Sequence, residues 1–390
     1  MFIRRIKLKN VLSFGPCGQD LDLKSLNVLI GPNGSGKSNL IEIIGLLRAA
    51  PLDLHKPIRE GGGVVNWIWR GEPNETFGEI EAAVSHGSDR SFLYKLCFYE
   101  ADQRFRMHRE SLCEASSRRN PDPIPFFDAG ADNVYLLYED ARDENGSSTL
   151  RPLPAKHDQS VFSYIKGPEY PELTFTGAQF QCIRLYREWS FGRRAPLRFP
   201  QPADLPNDQL SEDGKNLGLV LNRLKRDHPK ASDRLLKELR RLYDGIEAID
   251  ASIEGNTVQM FLREGDNTVP ATRLSDGTLR YICLLAVLCN PDLPPLVCLE
   301  EPELGLHPDL LPGLADLLRD ASGRSQLIVT THSDVLVDRL TDVPDTVITC
   351  EKQDGQTHLR RLDAGDLKHW LSRYSLGELW TRGELGGNRW

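Results

Sequence analysis

The segment Gly31-Pro32-Asn33-Gly34-Ser35-Gly36-Lys37-Ser38 constrains this chain more than any other feature, because it matches G-x-x-x-x-G-K-[ST] at every fixed position. It stands directly after the apolar run Leu26–Ile30 and directly before a stretch in which Leu40, Ile43, Ile44 and Leu47 recur at helical spacing. Strand, glycine-rich turn and amphipathic helix in that order aim backbone N–H groups at a phosphate, and the helix start adds positive potential. Lys37 is placed to reach the β- and γ-phosphates and the Ser38 hydroxyl to ligate Mg2+, with Asn39 the next residue of the cradle. A glycine-rich turn that binds nothing would have no use for the lysine, the serine and both flanking elements together. A nucleoside triphosphate and Mg2+ are the expected ligands.

Composition narrows the class further. Of 390 residues, 39% are hydrophobic and 27% charged, which excludes a fibrous, collagen-like or wholly disordered protein and leaves room for two or three domains. The longest apolar run, Tyr281–Cys289, is far short of the ~20 residues that span a bilayer. The charged opening Met1–Lys9 has no apolar core and does not read as a secretory signal. The 8 cysteines form no C-x-x-C pair and several sit in apolar runs, as expected of a reduced, cytoplasmic protein with no membrane association. A formal charge of −8 rules out a global basic field, so any nucleic-acid contact needs a local patch. The histidines other than His332 show no metal-ligand spacing.

Periodicity predicts strands at residues 2–9 and 26–30, a helix over 38–50, and alternating strands at 77–85 and 92–100 that read as an antiparallel sheet. Residues 101–210 read as irregular, with strands only at 134–138 and 181–187. Helical spacing returns at Leu217–Leu224 and Leu235–Leu242 around His228-Pro229, which predicts a helical hairpin at about 211–245. The buried-type runs 296–300 and 326–331, with a helix over 309–321 and a hairpin turn at 351–356, imply a parallel sheet with helices on its faces. The expected division is 1–100 for the first half of a core, 101–260 for an α+β insert, 261–362 for the second half, and 363–390 for a tail.

Two further motifs fall at strand ends. Pro295–Pro302 is an apolar strand closing on Glu300 and Glu301; alternation would turn one carboxylate to a metal and the other to an attacking water. Glu300 is the expected Mg2+ residue and Glu301 the general base, against the plainer reading of an acidic helix cap. His332, in Thr331-His332-Ser333, ends the next strand at the same edge, where it can donate to a γ-phosphate or to the water.

Leu274-Ser275-Asp276-Gly277-Thr278 opens an amphipathic helix with a good capping hydroxyl. Together with the phosphate loop, Glu300-Glu-Pro-Glu-Leu-Gly-Leu-His307-Pro308, Thr331-His332-Ser333 and the opening Ile6–Phe14, it resembles the ATP-binding-cassette class of ATPases. Within that class the likeness is to the soluble branch of SMC proteins, RecF and OLD-type nucleases, over roughly the first 100 and last 130 residues. The LSGGQ-like signature keeps Leu274, Ser275 and Gly277 and departs at Asp276 and Thr278. The resemblance implies an α/β head, a mixed or parallel core sheet with an antiparallel lobe, interrupted by an insert. It implies a homodimer in which the P-loop of one subunit and Ser275/Gly277 of the other sandwich ATP, so that hydrolysis opens the pair. The glutamine that usually senses Mg2+ and water in this class is not assignable. OLD-type relatives carry a nuclease domain after the ATPase; the stretch after His332 is too short for one and lacks a D-x-D cluster, so the chain is not expected to be a nuclease itself, and a separately encoded effector is a candidate partner.

The resulting expectation is an ATP-hydrolysing switch in DNA repair or anti-phage defence. The alternative is a slow-hydrolysing scaffold that holds an effector, and a transporter ATPase fits the insert poorly. Gln181–Pro200 carries Arg184, Arg187, Arg193, Arg194 and Arg198 among Tyr186, Trp189, Phe191 and Phe199, a surface suited to DNA unless these arginines pair with neighbouring acids in a half-buried strand. Trp370, Trp380 and Trp390 crowd the tail, which either folds back on the chain's own sheet or docks the effector.

Overall fold

The computed structural model describes all residues except 72–76, 88–89, 116–124, 131, 143–147, 157 and 388–390, and the side chains of 138–151 are likewise not described. The chain opens with the antiparallel pair β1 (Ile3–Lys9) and β2 (Gln19–Asp22), then enters β3 (Leu26–Ile30), all five residues of which are buried. Helix α1 (Lys37–Ala49) follows the glycine-rich turn, and its Leu40, Ile43, Ile44 and Leu47 are wholly buried, as their spacing requires. Two short helices, α2 (His55–Glu60) and α3 (Val64–Trp67), lead to β4 (Phe77–His86), β5 (Arg90–Ala101), β6 (Arg104–Glu114), β7 (Pro125–Ala129), β8 (Asn133–Arg142) and β9 (Ser148–Pro154).

Among the described residues these strands form an eight-stranded antiparallel sheet in the order β2-β1-β4-β5-β6-β7-β8-β9. The expected irregularity beyond residue 100 is therefore corrected over the described residues of β6 to β9, which carry the sheet on to Pro154. The alternation is obscured because the ladder slips between Cys97 and Phe98, which puts consecutive exposed residues, His108 and Arg109, into β6. Helices α4 (Val161–Tyr164) and α5 (Pro171–Gln181) then pack on α1 and on the sheet through Phe162 and Phe180, both against Tyr94. The strand expected over 181–187 is shorter, β10 (Arg184–Tyr186); Pro171 starts a helix whose Leu173, Thr176, Gly177 and Phe180 supply the buried face.

After β11 (Gln201–Pro202), helices α6 (Leu217–Asp227) and α7 (Pro229–Leu239) form the expected hairpin, and α6 lies on the small sheet of β11, β12 (Ala248–Glu254), β13 (Thr257–Glu264) and β14 (Asn267–Pro270). Helix α8 (Asp276–Leu288) leads into β15 (Leu296–Glu300), α9 (Leu311–Ser322), β16 (Gln326–Thr330), α10 (Asp334–Asp338), β17 (Val347–Gln353), β18 (Gln356–Arg361), α11 (Ala364–Leu371) and α12 (Leu376–Thr381). The second sheet has the order β10-β15-β16-β3-β17-β18, parallel except for the last pair. Its strands alternate between two cores. Val28, Ile30, Val297, Leu299, Leu327 and Val329 face α8 and α9, whereas Leu29, Cys298, Ile328 and Ile348 face α1 and the antiparallel lobe. The sheet is thus sandwiched, and its carboxyl edge carries the end of β3, the end of β15 and the end of β16 side by side.

The tail folds back on the chain. Leu376, Leu379, Trp380 and Leu385 are buried in the α8–α9 core, the Trp380 indole N–H donates to the Gly387 carbonyl at 2.7 Å, and the Gly387 N–H donates to Glu351 at 2.6 Å. Of the two expectations for the tail, folding back on the chain is the one that these contacts show; Trp370 is exposed, and Trp390 lies outside the described residues. No helix among the described residues is long and apolar enough to cross a membrane.

Candidate functional site

The phosphate loop is built from backbone that other residues could not adopt. Gly34 and Gly36 have φ of +76° and +100°, and a Cβ on Gly36 would lie 2.1 Å from the Thr357 hydroxyl. Thr357 Oγ1 donates to the Ser35 carbonyl at 2.8 Å and accepts from the Ser13 hydroxyl at 2.6 Å, and the Asn39 amide donates to that same Ser13 oxygen at 2.6 Å. Asn39 therefore helps to fix the loop from behind. The hairpin turn between β17 and β18 is what carries Thr357 there. Lys37 is buried, and its ammonium donates to the carbonyls of Gly31 at 2.8 Å and Pro32 at 2.9 Å, which curls the loop around it. Burial lowers its pKa, while Glu301, Glu300 and Glu303 pull the other way. Pro32 is half-buried and Asn33 exposed, and the Ser35 hydroxyl is buried with no hydrogen-bond partner among the described residues.

The two carboxylates diverge as expected, but for a different reason. Glu300 is the last residue of β15, and Oε1 accepts from Ser38 Oγ across the sheet edge. Glu301 leaves the strand at φ +44°, an unusual conformation for a side chain of this kind, held by its N–H on the Thr330 carbonyl at 3.0 Å and by Arg280 donating to its own carbonyl at 3.1 Å. That left-handed turn, rather than strand alternation, swings the carboxylate to His332, where Oε1 lies 3.3 Å from Nε2. Both side chains are partly solvent-exposed. A hydroxyl and a carboxylate converging at Ser38–Glu300 are the hard oxygen donors that suit Mg2+, and a carboxylate paired with an imidazole at Glu301–His332 can orient a water.

Glu303 is the site residue that the sequence reading missed. Its Oε1 accepts from Thr331 Oγ1 and from the His332 N–H, each at 2.7 Å, so it fixes the backbone on which His332 rides. Burial raises its pKa, opposed by those two donors. The third acid of Glu300-Glu-Pro-Glu303 was the available signal.

Ser275 caps α8, accepting from the Thr278 N–H at 3.0 Å, and is exposed. Gly277 has a role within the chain: a Cβ there would meet the Gly305 carbonyl at 2.6 Å, so α8 and the loop after Glu301 approach at a distance that needs glycine.

The arginine patch does not form a common surface. Arg198 is buried and donates to the carbonyls of Phe191, Ala271 and Leu274 and to Asp276, holding the start of α8. Arg187 pairs with Glu300 and Glu42. Arg184 is half-buried beside its own backbone, and Arg193 and Arg194 alone are fully exposed. Two of the five arginines, Arg187 and Arg198, are therefore internal wiring, the pairing with neighbouring acids that was the expected alternative to a DNA surface.

The family described as "AAA domain, putative AbiEii toxin, Type IV TA system" matches residues 26–338. An OLD nuclease of Thermus scotoductus is 22% identical, over 96% of this chain and 67% of the relative. An SMC head bound to the C-winged helix domain of ScpA superposes with a TM-score of 0.59 at 15% identity, covering 94% of this chain and 99% of that one. An SMC head with an extended coiled coil, bound to the C-terminal domain of ScpA from Pyrococcus furiosus, gives 0.56 at 15% identity over 95% and 98%. At such identities the structural likeness establishes the fold.

Proposed function

The chain belongs to this AAA-domain family and has the ABC-type ATPase fold of SMC heads, and on that premise we propose that it binds and hydrolyses ATP, closing as a homodimer around the nucleotide to switch a nucleic-acid-related task in repair or anti-phage defence. The observation that carries the reading is the convergence at one sheet edge of Lys37, the Ser38–Glu300 pair and the Glu301–His332 pair.

Lys37 would exchange the carbonyls of Gly31 and Pro32 for phosphate oxygens, so no new cavity has to open for its charge. Ser38 and Glu300 would hold Mg2+, which when bound neutralises phosphate charge. Glu301 would take a proton from the attacking water or orient it, with His332 fixing the carboxylate through Nε2 and itself placed by Glu303. The exposed start of α8 would offer Ser275 and its N–H dipoles to the γ-phosphate of a partner subunit, a contact that ends when that phosphate leaves.

The family description, with its toxin–antitoxin label, and the OLD nuclease relative support a defence or nucleic-acid setting. The SMC head bound to ScpA supports the idea that a head of this fold can dock a separately encoded protein. Steady-state phosphate release by purified protein, with and without DNA, tests the switch: turnover that rises with DNA supports it. Tight ATP binding with negligible turnover until a protein partner is added would favour the scaffold.

A further inference from the structure

Arg187 stands between two carboxylates at the end of the sheet that carries the site. It donates from Nε to Glu300 Oε2 at 2.9 Å and from Nη2 to Glu42 Oε1 at 3.2 Å. The backbone dictates this placement. β10 runs parallel to β15 with Tyr186 opposite Leu299, so the next residue of each strand, Arg187 and Glu300, falls at the same level. Glu42 lies one turn beyond Ser38 on α1. The guanidinium therefore ties the helix after the phosphate loop to the strand that carries the metal-side carboxylate.

Glu300 uses its two oxygens differently. Oε2 is taken by Arg187, and Oε1 faces Ser38 Oγ. Held this way it presents a single oxygen in a fixed direction. Charge adds a second effect, because Glu42, Arg187 and Glu300 together carry one net negative charge, whereas the same pair without the arginine would carry two. Two carboxylates freed of the arginine would attract a divalent cation more strongly than one. One carboxylate oxygen and one hydroxyl hold it weakly, for an ion that gives up water reluctantly and needs phosphate oxygens to complete its shell.

We propose that Arg187 makes metal binding conditional on nucleotide: it occupies the second oxygen of Glu300 and neutralises Glu42, so that a divalent ion is held only when a triphosphate supplies the missing ligands. This rests on the reading of Ser38 and Glu300 as the metal side of the site. Arg187 is a positioning residue in this account, acting through Glu300. Its planar fork matches two acceptors at once; lysine would keep the charge and lose the two-armed geometry.

The test uses the full chain and its R187A, R187Q and R187K variants, with Mn2+ as a spin probe titrated in the absence of nucleotide. R187A and R187Q should bind Mn2+ on the order of tenfold or more tightly than the native chain, because one neutralising charge is lost. R187K, which keeps the charge but cannot bridge both acceptors, should fall between the native chain and R187A. A fluorescent ATP analogue titrated without any divalent ion should bind all four proteins alike, through Lys37. If R187A fails to fold, R187Q, checked by circular dichroism, carries the experiment. Mn2+ affinities that match the native chain in R187A and R187Q overturn the proposal. Failure of the underlying reading looks different: Mg2+ would then leave the native chain's affinity for the analogue unchanged, and S38A would have no effect on it, which removes the metal site and this proposal with it.

Discussion

Glu301 Oε1 lies 3.3 Å from His332 Nε2, a pairing across adjacent strand ends that exists because residue 301 turns left-handed while residue 332 is tied down by Glu303. The pair is the reacting end of the proposed site. E301Q should lower phosphate release by about 10²-fold or more while leaving nucleotide binding intact, since the amide keeps the shape and loses the base. H332A should lower turnover by less, because the carboxylate remains. Rapid-quench assays at saturating ATP measure both; equal rates for E301Q and the native chain would remove Glu301 from the chemistry.

K37A should abolish detectable ATP binding, because a buried positive charge that faces three carboxylates and the loop carbonyls is lost together with its phosphate contacts. The far-ultraviolet circular dichroism spectrum should be unchanged, as Gly36, Ser13 and Thr357 hold the loop independently of the lysine. Calorimetric titration with ATP checks this, and native-like affinity in K37A would refute the phosphate-loop assignment.

Removal of residues 376–390 should destabilise the head rather than free a binding surface. Leu376, Leu379, Trp380 and Leu385 all leave the core, and a fully buried leucine alone contributes about 1.5–3 kcal/mol. The expected product is insoluble or melts well below the full chain. A truncated protein that keeps its melting temperature but loses a co-purifying protein would restore the tail as a docking site.

The antiparallel lobe has its own polar anchor. Glu110 is buried and accepts from Tyr94 Oη at 2.7 Å, Ser160 Oγ at 2.6 Å and the Val161 N–H at 2.7 Å, fixing α4 under β6. Burial raises its carboxyl pKa, and the three donors only partly offset this. A raised folded pKa means that the stabilisation is complete below the unfolded value and is lost as pH rises through the folded one. E110Q, neutral throughout, should therefore gain on the native chain as pH rises from ~4 to ~8 in thermal unfolding. E110A should cost about 1–3 kcal/mol for each donor left orphaned. A pH-independent difference between E110Q and the native chain would contradict this.

What was legible in the sequence was whatever short-range pattern determines. Leu26–Ile30, Leu296–Glu300 and the helical hairpin follow from apolar runs and spacing, and the loop from its glycines. What was not legible depends on partners far along the chain. Arg187 reaches Glu300 across 113 positions and Arg198 reaches Asp276 across 78, so of the two readings left open for these arginines the pairing one holds for both, with acids that no local pattern identifies. The first strand after residue 100 was hidden because a slip in register sets His108 and Arg109 consecutively outward in β6, which breaks its alternation. The divergence of Glu300 and Glu301 was expected from strand pleating, but it comes from the positive φ at Glu301, which no local pattern announces.

The central claim is that ATP is shared between two copies of this chain, one supplying the loop at Lys37 and the other the helix start at Ser275. Light scattering after gel filtration of E301Q with ATP and Mg2+ tests it most directly. The account predicts a species of twice the mass of one chain, which reverts to a single chain without nucleotide and fails to form when S275R is added to E301Q. A single-chain mass for E301Q with ATP bound would contradict it.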